Sequence, residues 1–240
     1  MLPGGRKPGN NEGNAVGAGL GGAGLGAKIK SYIFDLDGTL LDSMGVWTEI
    51  DVRFLSKRGI LVPPDYQQSI MPMSPYESAC YTIERFNLTD SPGDLLREWD
   101  DMAAYAYAHT VAIKPYAKEY LLALSTRGAD MAVATSLTAS LYEPALNNNG
   151  IGGLFRAVCS TAEVACGKTR PDVFLLAARR LGAAPADCIV FEDVLAAVRS
   201  AKSAGMTVYG IYDKTSDGDW GQIVAAADGA FMDFRGAPLP

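Results

Sequence analysis

Ser31-Tyr32-Ile33-Phe34-Asp35-Leu36-Asp37-Gly38-Thr39-Leu40-Leu41-Asp42-Ser43 carries more information than any other stretch of this 240-residue chain. Its first four residues read as a short buried β-strand, and Asp35 and Asp37 follow at once. Burying an ionised carboxylate without a partner is expensive, so two acids at the end of a buried strand call for a cation or dedicated partners. Gly38 and Thr39 suit a sharp turn, because glycine adopts backbone angles that other residues avoid. The stretch therefore predicts a strand that delivers two acids to one place, with their partners supplied from elsewhere in the chain.

Outward from this stretch the pattern divides. Val46, Trp47, Ile50, Phe54 and Leu55 recur at helical spacing, and so do Tyr76, Cys80, Ile83 and Phe86. Pro63-Pro64 and the short loop Met71-Pro72-Met73-Ser74-Pro75 separate these runs. Ser91-Pro92 opens a third helix, with serine at the N-cap and proline in the first turn, and this helix carries Leu95, Leu96, Trp99, Met102 and Tyr105 or Tyr107. No convincing strand is expected in residues 44–112.

From Ile113 strands and helices alternate. Met131-Ala132-Val133-Ala134, Ala157-Val158-Cys159, Cys188-Ile189-Val190-Phe191, Thr207-Val208-Tyr209-Gly210-Ile211 and Ala230-Phe231-Met232 read as strands. Helices are expected from Pro115 to Thr126, over 138–148, from Pro171 to Leu181 and from Leu195 to Ala204. This alternation predicts a parallel sheet covered on both faces. The expected fold class is α/β: a Rossmann-like parallel-sheet core (residues 29–43 and 113–240) with a small all-helical domain (44–112) inserted after the first strand. Residues 1–28 contain ten glycines and read as a disordered leader. Gly17, Gly19 and Gly22 fit G-x-G-x-x-G there, but the motif precedes the first strand instead of following one, so no dinucleotide site is expected.

Ligands of open parallel sheets bind beyond the carboxyl ends of the strands. The first strand ends in Asp35 and Asp37, another in Thr135-Ser136, and another in Glu192-Asp193. Gly167-Lys168-Thr169-Arg170-Pro171-Asp172 lies between the last two. Topology would thus converge several carboxylates, a hydroxyl and a lysine, which suits a divalent cation and a phosphoryl group.

These four segments resemble, in order, the four motifs of the haloacid dehalogenase-like hydrolases. The resemblance covers residues 31–233. The helical insertion is similar to the cap of the subgroup containing phosphoglycolate phosphatase-like and β-phosphoglucomutase-like proteins. The resemblance implies Asp35 as nucleophile, Asp37 as general acid and then base, and Lys168 as a charge-offsetting catalytic residue. It implies Thr135 and Ser136 as phosphate-binding groups. A metal site follows from Asp35, Asp37 through its main-chain carbonyl, Asp193 and Glu192, with Mg²⁺ as the cofactor. Trp47, soon after the first motif, is a candidate for contact with the leaving group. Asp42 and Ser43 are expected to shape the turn. His109 and Arg170 are expected to lie outside the chemistry, and Trp47, Trp99 and Tyr105 to pack mainly in a helical core.

The resemblance also narrows the reaction. Dehalogenases of this family lack the second aspartate, so Asp37 points to phosphoryl chemistry. Mutases carry a His soon after the first motif and an Arg in the substrate loop; here those regions hold Trp47 and Met71-Pro72-Met73-Ser74-Pro75-Tyr76. A phosphatase acting on a small phosphorylated metabolite is expected, ahead of a phosphosugar mutase or a non-enzymatic binding protein on the same fold. The last motif departs from the family's Glu-Asp-Ser-x-x-Gly, reading Glu192-Asp193-Val194-Leu195-Ala196-Ala197. A net charge of −6 argues against nucleic acid and anionic membranes. No apolar run approaches membrane-spanning length. The four cysteines show no metal-binding spacing. A cytoplasmic protein, monomeric or weakly dimeric, is the expectation.

Overall fold

The computed structural model describes residues 31–239 except 71, 72 and 74. The Gly-rich segment 1–28 and most of the Met71–Pro75 loop lie outside the described residues. Six strands, β1 (Ser31–Phe34), β4 (Met131–Thr135), β5 (Ala157–Ser160), β6 (Cys188–Glu192), β7 (Thr207–Ile211) and β8 (Gly229–Phe231), form one sheet. Its order is β5-β4-β1-β6-β7-β8, and every pairing is parallel. The α/β core read from the sequence is present, with β8 starting one residue earlier than expected.

Four residues suffice for β1 because it is central and apolar on both faces. Tyr32 and Phe34 point into one core and Ile33 into the other. Phe34 stacks on Phe191 of β6 at 5.1 Å between ring centroids and meets Tyr120 and Phe234 at 6.3 Å each. On the opposite face Ile33 joins Ala132, Val190, Val173 and Phe174. Burying side chains of this size stabilises by about 1.5–3 kcal/mol each, so β1 is anchored where its carboxyl end must be placed.

Helices α5 (Ala117–Thr126), α6 (Ala139–Asn148), α7 (Asp172–Leu181), α8 (Leu195–Ser203) and α9 (Trp220–Ala226) connect these strands. Pro115 does not open α5, which starts at Ala117. Tyr116 adopts a left-handed backbone (φ 65°) just before it, so the chain turns once more before the helix begins. The short α9 escaped sequence reading because its seven residues are too few to show a period.

Residues between the first strand and α5 form α1 (Val46–Ser56), α2 (Tyr66–Ile70), α3 (Pro75–Phe86) and α4 (Pro92–His109). Ser91 caps α4 as expected: its hydroxyl accepts from the Asp94 amide, and the Asp94 carboxylate accepts from the Ser91 amide. One expectation is corrected. The segment is not purely helical to its end, because β2 (Leu41–Asp42) and β3 (Ala112–Ile113) pair antiparallel, Leu41 opposite Ile113 and Asp42 opposite Ala112. Two residues carry no readable alternation, so only the pairing reveals them. This ribbon ties the entry and exit of the helical segment together. Of the three aromatics assigned to its core, Trp99 is buried, whereas Trp47 and Tyr105 are about half exposed.

Candidate active site

The sheet order reverses at β1: the chain moves first to β4 and β5, then returns to β6 on the other side. The carboxyl ends of β1, β4 and β6 are adjacent there. An open cavity of about 260 Å³ lies at this end, lined by residues that include Asp35, Asp37, Ser136, Lys168 and Glu192.

Lys168 precedes α7 and reaches back to the sheet. Its ammonium donates to Asp35 Oδ1 and to Glu192 Oε1, the latter at 2.6 Å. All three side chains are nearly buried, with 12% exposure for Lys168, 7% for Asp35 and 1% for Glu192. Burial alone would lower the lysine's pKa, but the charges of Asp35 and Glu192 outweigh it and hold the ammonium protonated. Burial pushes the Glu192 carboxyl up, against the opposing pull of Lys168.

Asp35, Glu192 and Asp193 each bring a carboxylate oxygen within 4.8 Å of the others, the one such group among the described residues. Asp193 Oδ1 accepts from Thr39 Oγ1 at 3.1 Å, but Oδ2 is buried with no hydrogen-bond partner. Burial, together with the charges of Glu192 and Asp35, pushes Asp193 up to about 9. The donor set is all hard oxygen, the kind Mg²⁺ and similar cations prefer. An orphaned buried oxygen beside two further acids fits a divalent cation. Gly38 completes the fit: at φ 82°, a Cβ there would come within 2.2 Å of Asp193 Oδ2.

Glu192 has both oxygens engaged. Oε1 holds Lys168, and Oε2 accepts from the amides of Asp193 (2.9 Å) and Val194 (3.1 Å). Val194, at the N-cap of α8, offers no side-chain acceptor for the first turn, and Glu192 Oε2 binds only the amides of Val194 and of the residue before it. Asp193 stands one residue before that N-cap and is not the cap of the helix.

The Asp37 carboxylate takes no part in the cluster. Its Oδ1 accepts from Ser43 Oγ at 2.5 Å and from the Tyr107 hydroxyl at 2.8 Å. Burial and the nearby charge of Asp35 push Asp37 up, while the two hydroxyl donors pull the other way. Burial and the Asp37 charge push the Tyr107 phenol up as well, so it remains a donor. Ser43 therefore does more than shape the turn: it is 1% exposed and bonded to the second aspartate, whereas Asp42 is exposed. Tyr107 was legible only as one of two alternatives on a helix face, because nothing local marks a contact across 70 positions.

The remaining expected residues separate. Ser136 lines the cavity, whereas Thr135 is fully buried and its Oγ1 accepts from the Leu137 amide at 3.1 Å. Trp47 is 48% exposed on α1 and is not among the cavity-lining residues; Met44, Val194, Ala196 and Ala197 form its apolar rim instead. Trp47 is half-turned to solvent because Val46 and Ile50 occupy the buried face of α1. His109 packs on Tyr105 at 4.7 Å, and Arg170 is an exposed side chain 3.4 Å from Asp172.

Known proteins resemble this chain in sequence and in fold. The family model for haloacid dehalogenase-like hydrolases matches residues 32–211. The protein named "Probable pseudouridine-5'-phosphatase" of Drosophila melanogaster is 31% identical over 198 residues, covering 78% of this chain and 83% of its own length. The fructose-1-phosphate phosphatase YqaB of Escherichia coli is 32% identical over 182 residues, covering 75% and 94%. A Thermotoga maritima structure solved as a candidate beta-phosphoglucomutase superposes with a TM-score of 0.76 at 25% identity, covering 84% and 94%. By the family model over residues 32–211 and by relatives above 30% identity, the chain belongs to the haloacid dehalogenase-like hydrolases.

Proposed function

We propose that this chain is a Mg²⁺-dependent phosphatase that hydrolyses small phosphate monoesters through an aspartyl-phosphate on Asp35. One observation carries the reading. A single cavity holds one carboxylate bound by a buried lysine, Asp35, and a second, Asp37, raised in pKa and standing outside the acidic cluster. Two environments for two acids are what a nucleophile and a proton donor require.

Asp35 attacks phosphorus with the oxygen that Lys168 leaves free. The bond from phosphorus to the alkoxide breaks, and Asp37 gives its proton to the departing oxygen. Asp37, now ionised, takes a proton from water, which attacks phosphorus and frees Asp35 and inorganic phosphate. Lys168 offsets charge on Asp35 throughout. Ser136, through its amide, orients phosphoryl oxygens, and Thr135, buried beneath it, holds that turn by accepting from the Leu137 amide. Asp35 and Asp193 supply side-chain ligands, with the Asp37 carbonyl and Glu192 in support, to a Mg²⁺ ion that offsets phosphoryl charge when bound. The helical segment 44–112 acts as a cap that opens for substrate and closes to shield the intermediate.

The substrate class is a small monoester, read with modest selectivity. The apolar rim of Met44, Val194, Ala196 and Ala197 supports this, as do relatives named for pseudouridine 5'-phosphate and fructose 1-phosphate. A mutase is disfavoured because the substrate-loop sequence offers no Arg to retain a sugar phosphate. The deciding experiment is incubation with Mg²⁺ and a panel of phosphate monoesters. Free phosphate is expected from several, and Asp35→Asn should abolish release with an unchanged circular dichroism spectrum. Isomerisation of β-glucose 1-phosphate without phosphate release would overturn the reading in favour of a mutase.

A further inference from the structure

Lys114 stands just after β3, outside every segment assigned to the chemistry, yet it is bound to the first motif twice. Its backbone amide donates to the Leu40 carbonyl at 2.8 Å, and its ammonium donates to the Gly38 carbonyl. The same ammonium donates to the Tyr212 carbonyl at 2.9 Å and pairs with Asp213 Oδ2 at 2.8 Å. An ammonium has three protons, and all three are used. The pair is inside the protein, with Lys114 13% and Asp213 8% exposed. Asp213 is itself fixed, its Oδ1 accepting from the Thr215 amide and hydroxyl at 2.9 and 2.6 Å.

What the ammonium holds is the peptide that shapes the acidic cluster. On one side of Gly38, Lys114 takes its carbonyl. On the other, the Gly38 Cα faces Asp193 Oδ2, and Thr39 donates to Asp193 Oδ1. The turn thus has Asp193 against one side and a cation anchored to the end of β7 on the other. A long flexible lysine buried with full satisfaction costs side-chain entropy and desolvation, and a surface ion pair would not need three acceptors from two segments.

We propose that Lys114, fixed by Asp213, is a positioning residue of the metal site: it sets the Gly38–Thr39 peptide and, through it, the placement of the Asp193 carboxylate. The proposal rests on the metal-dependent reading above. Residues that orient metal ligands without touching the metal typically contribute tenfold or more in affinity.

The test is calorimetric titration of the full chain with Mg²⁺, repeated for Lys114→Met, Lys114→Arg, Asp213→Asn and, as a control, Asp193→Asn. Lys114→Met is expected to weaken Mg²⁺ binding by about tenfold and to lower kcat while leaving KM for the monoester unchanged. Asp213→Asn should shift affinity in the same direction by less, and Lys114→Arg should recover most of it. A folded Lys114→Met protein that binds Mg²⁺ like the wild type overturns the proposal. If Lys114→Met fails to fold, unchanged affinity in folded Asp213→Asn overturns it equally. Absence of binding heat in the wild type would defeat the metal-dependent reading and this proposal together. Binding in the wild type with unaltered variants would defeat this proposal alone.

Discussion

At the scale of single residues, two aspartates two positions apart are made chemically different by what touches them. Asp35 receives a cation from Lys168, whereas Asp37 receives only neutral donors, Ser43 and Tyr107, both on Oδ1. With Oδ1 accepting two bonds, the transferable proton of Asp37 belongs on Oδ2. Tyr107 and Ser43 favour the ionised form, opposing burial and the Asp35 charge. Removing a donor therefore raises the Asp37 pKa further. In Tyr107→Phe the alkaline limb of the kcat/KM profile should move up by about one pH unit, the equivalent of one hydrogen bond to a charged acceptor. An alkaline limb that stays in place would refute the assignment of Asp37 as the acid.

At the scale of elements, α4 brings Tyr107 to the acid, and the ribbon of β2 and β3 fixes where that helix leaves the core. The helical segment also holds a buried acid of its own, Asp51 on α1, at 8% exposure. Burial pushes Asp51 up to about 6, with a hydrogen bond from Gln67 opposing. Because the folded-state pKa is raised, the unfolded chain ionises first as pH rises. Stability therefore falls between the ordinary carboxylate range and about pH 6 and stays lower above it. Asp51→Asn removes that loss without changing shape. Urea unfolding should find the variant more stable by about 2–3 kcal/mol at pH 8, with little difference at pH 4. Equal gains at both pH values would show that ionisation is not the cause.

At the scale of the whole molecule, the central position of β1 turns four apolar residues into the support of the site. Three carboxylates and one lysine converge beneath it, and Asp193 is left with an unpaired buried oxygen. A cation that binds only the folded chain stabilises it by about 2.7 kcal/mol at a hundred times its dissociation constant. For a chain of this size that raises Tm by about 5–10 °C. Thermal melts with Mg²⁺ and with chelator should show this rise in the wild type and none in Asp193→Asn. In chelator the variant should melt no lower than the wild type, since it replaces a buried acid crowded by two others. A Mg²⁺-dependent rise in Asp193→Asn would place the ion elsewhere.

By itself the sequence determined the six strands of the parallel sheet, the helical segment and the acids at the strand ends. Those follow from local periodicity and from the cost of burying charge, both of which are written in neighbouring residues. Asp35, Lys168 and Asp193 could be named for the same reason: each sits at a strand end or helix start where topology leaves little freedom. Only the tertiary structure decided that Ser43 and Tyr107 hold Asp37, that Glu192 accepts from the Asp193 and Val194 amides, that Trp47 is half turned to solvent and that Lys114 grips Gly38. Two of these are contacts of single atoms across 70 positions or more, Tyr107 to Asp37 and Lys114 to Gly38. They depend on which face of an element turns inward, and that is set by packing among elements.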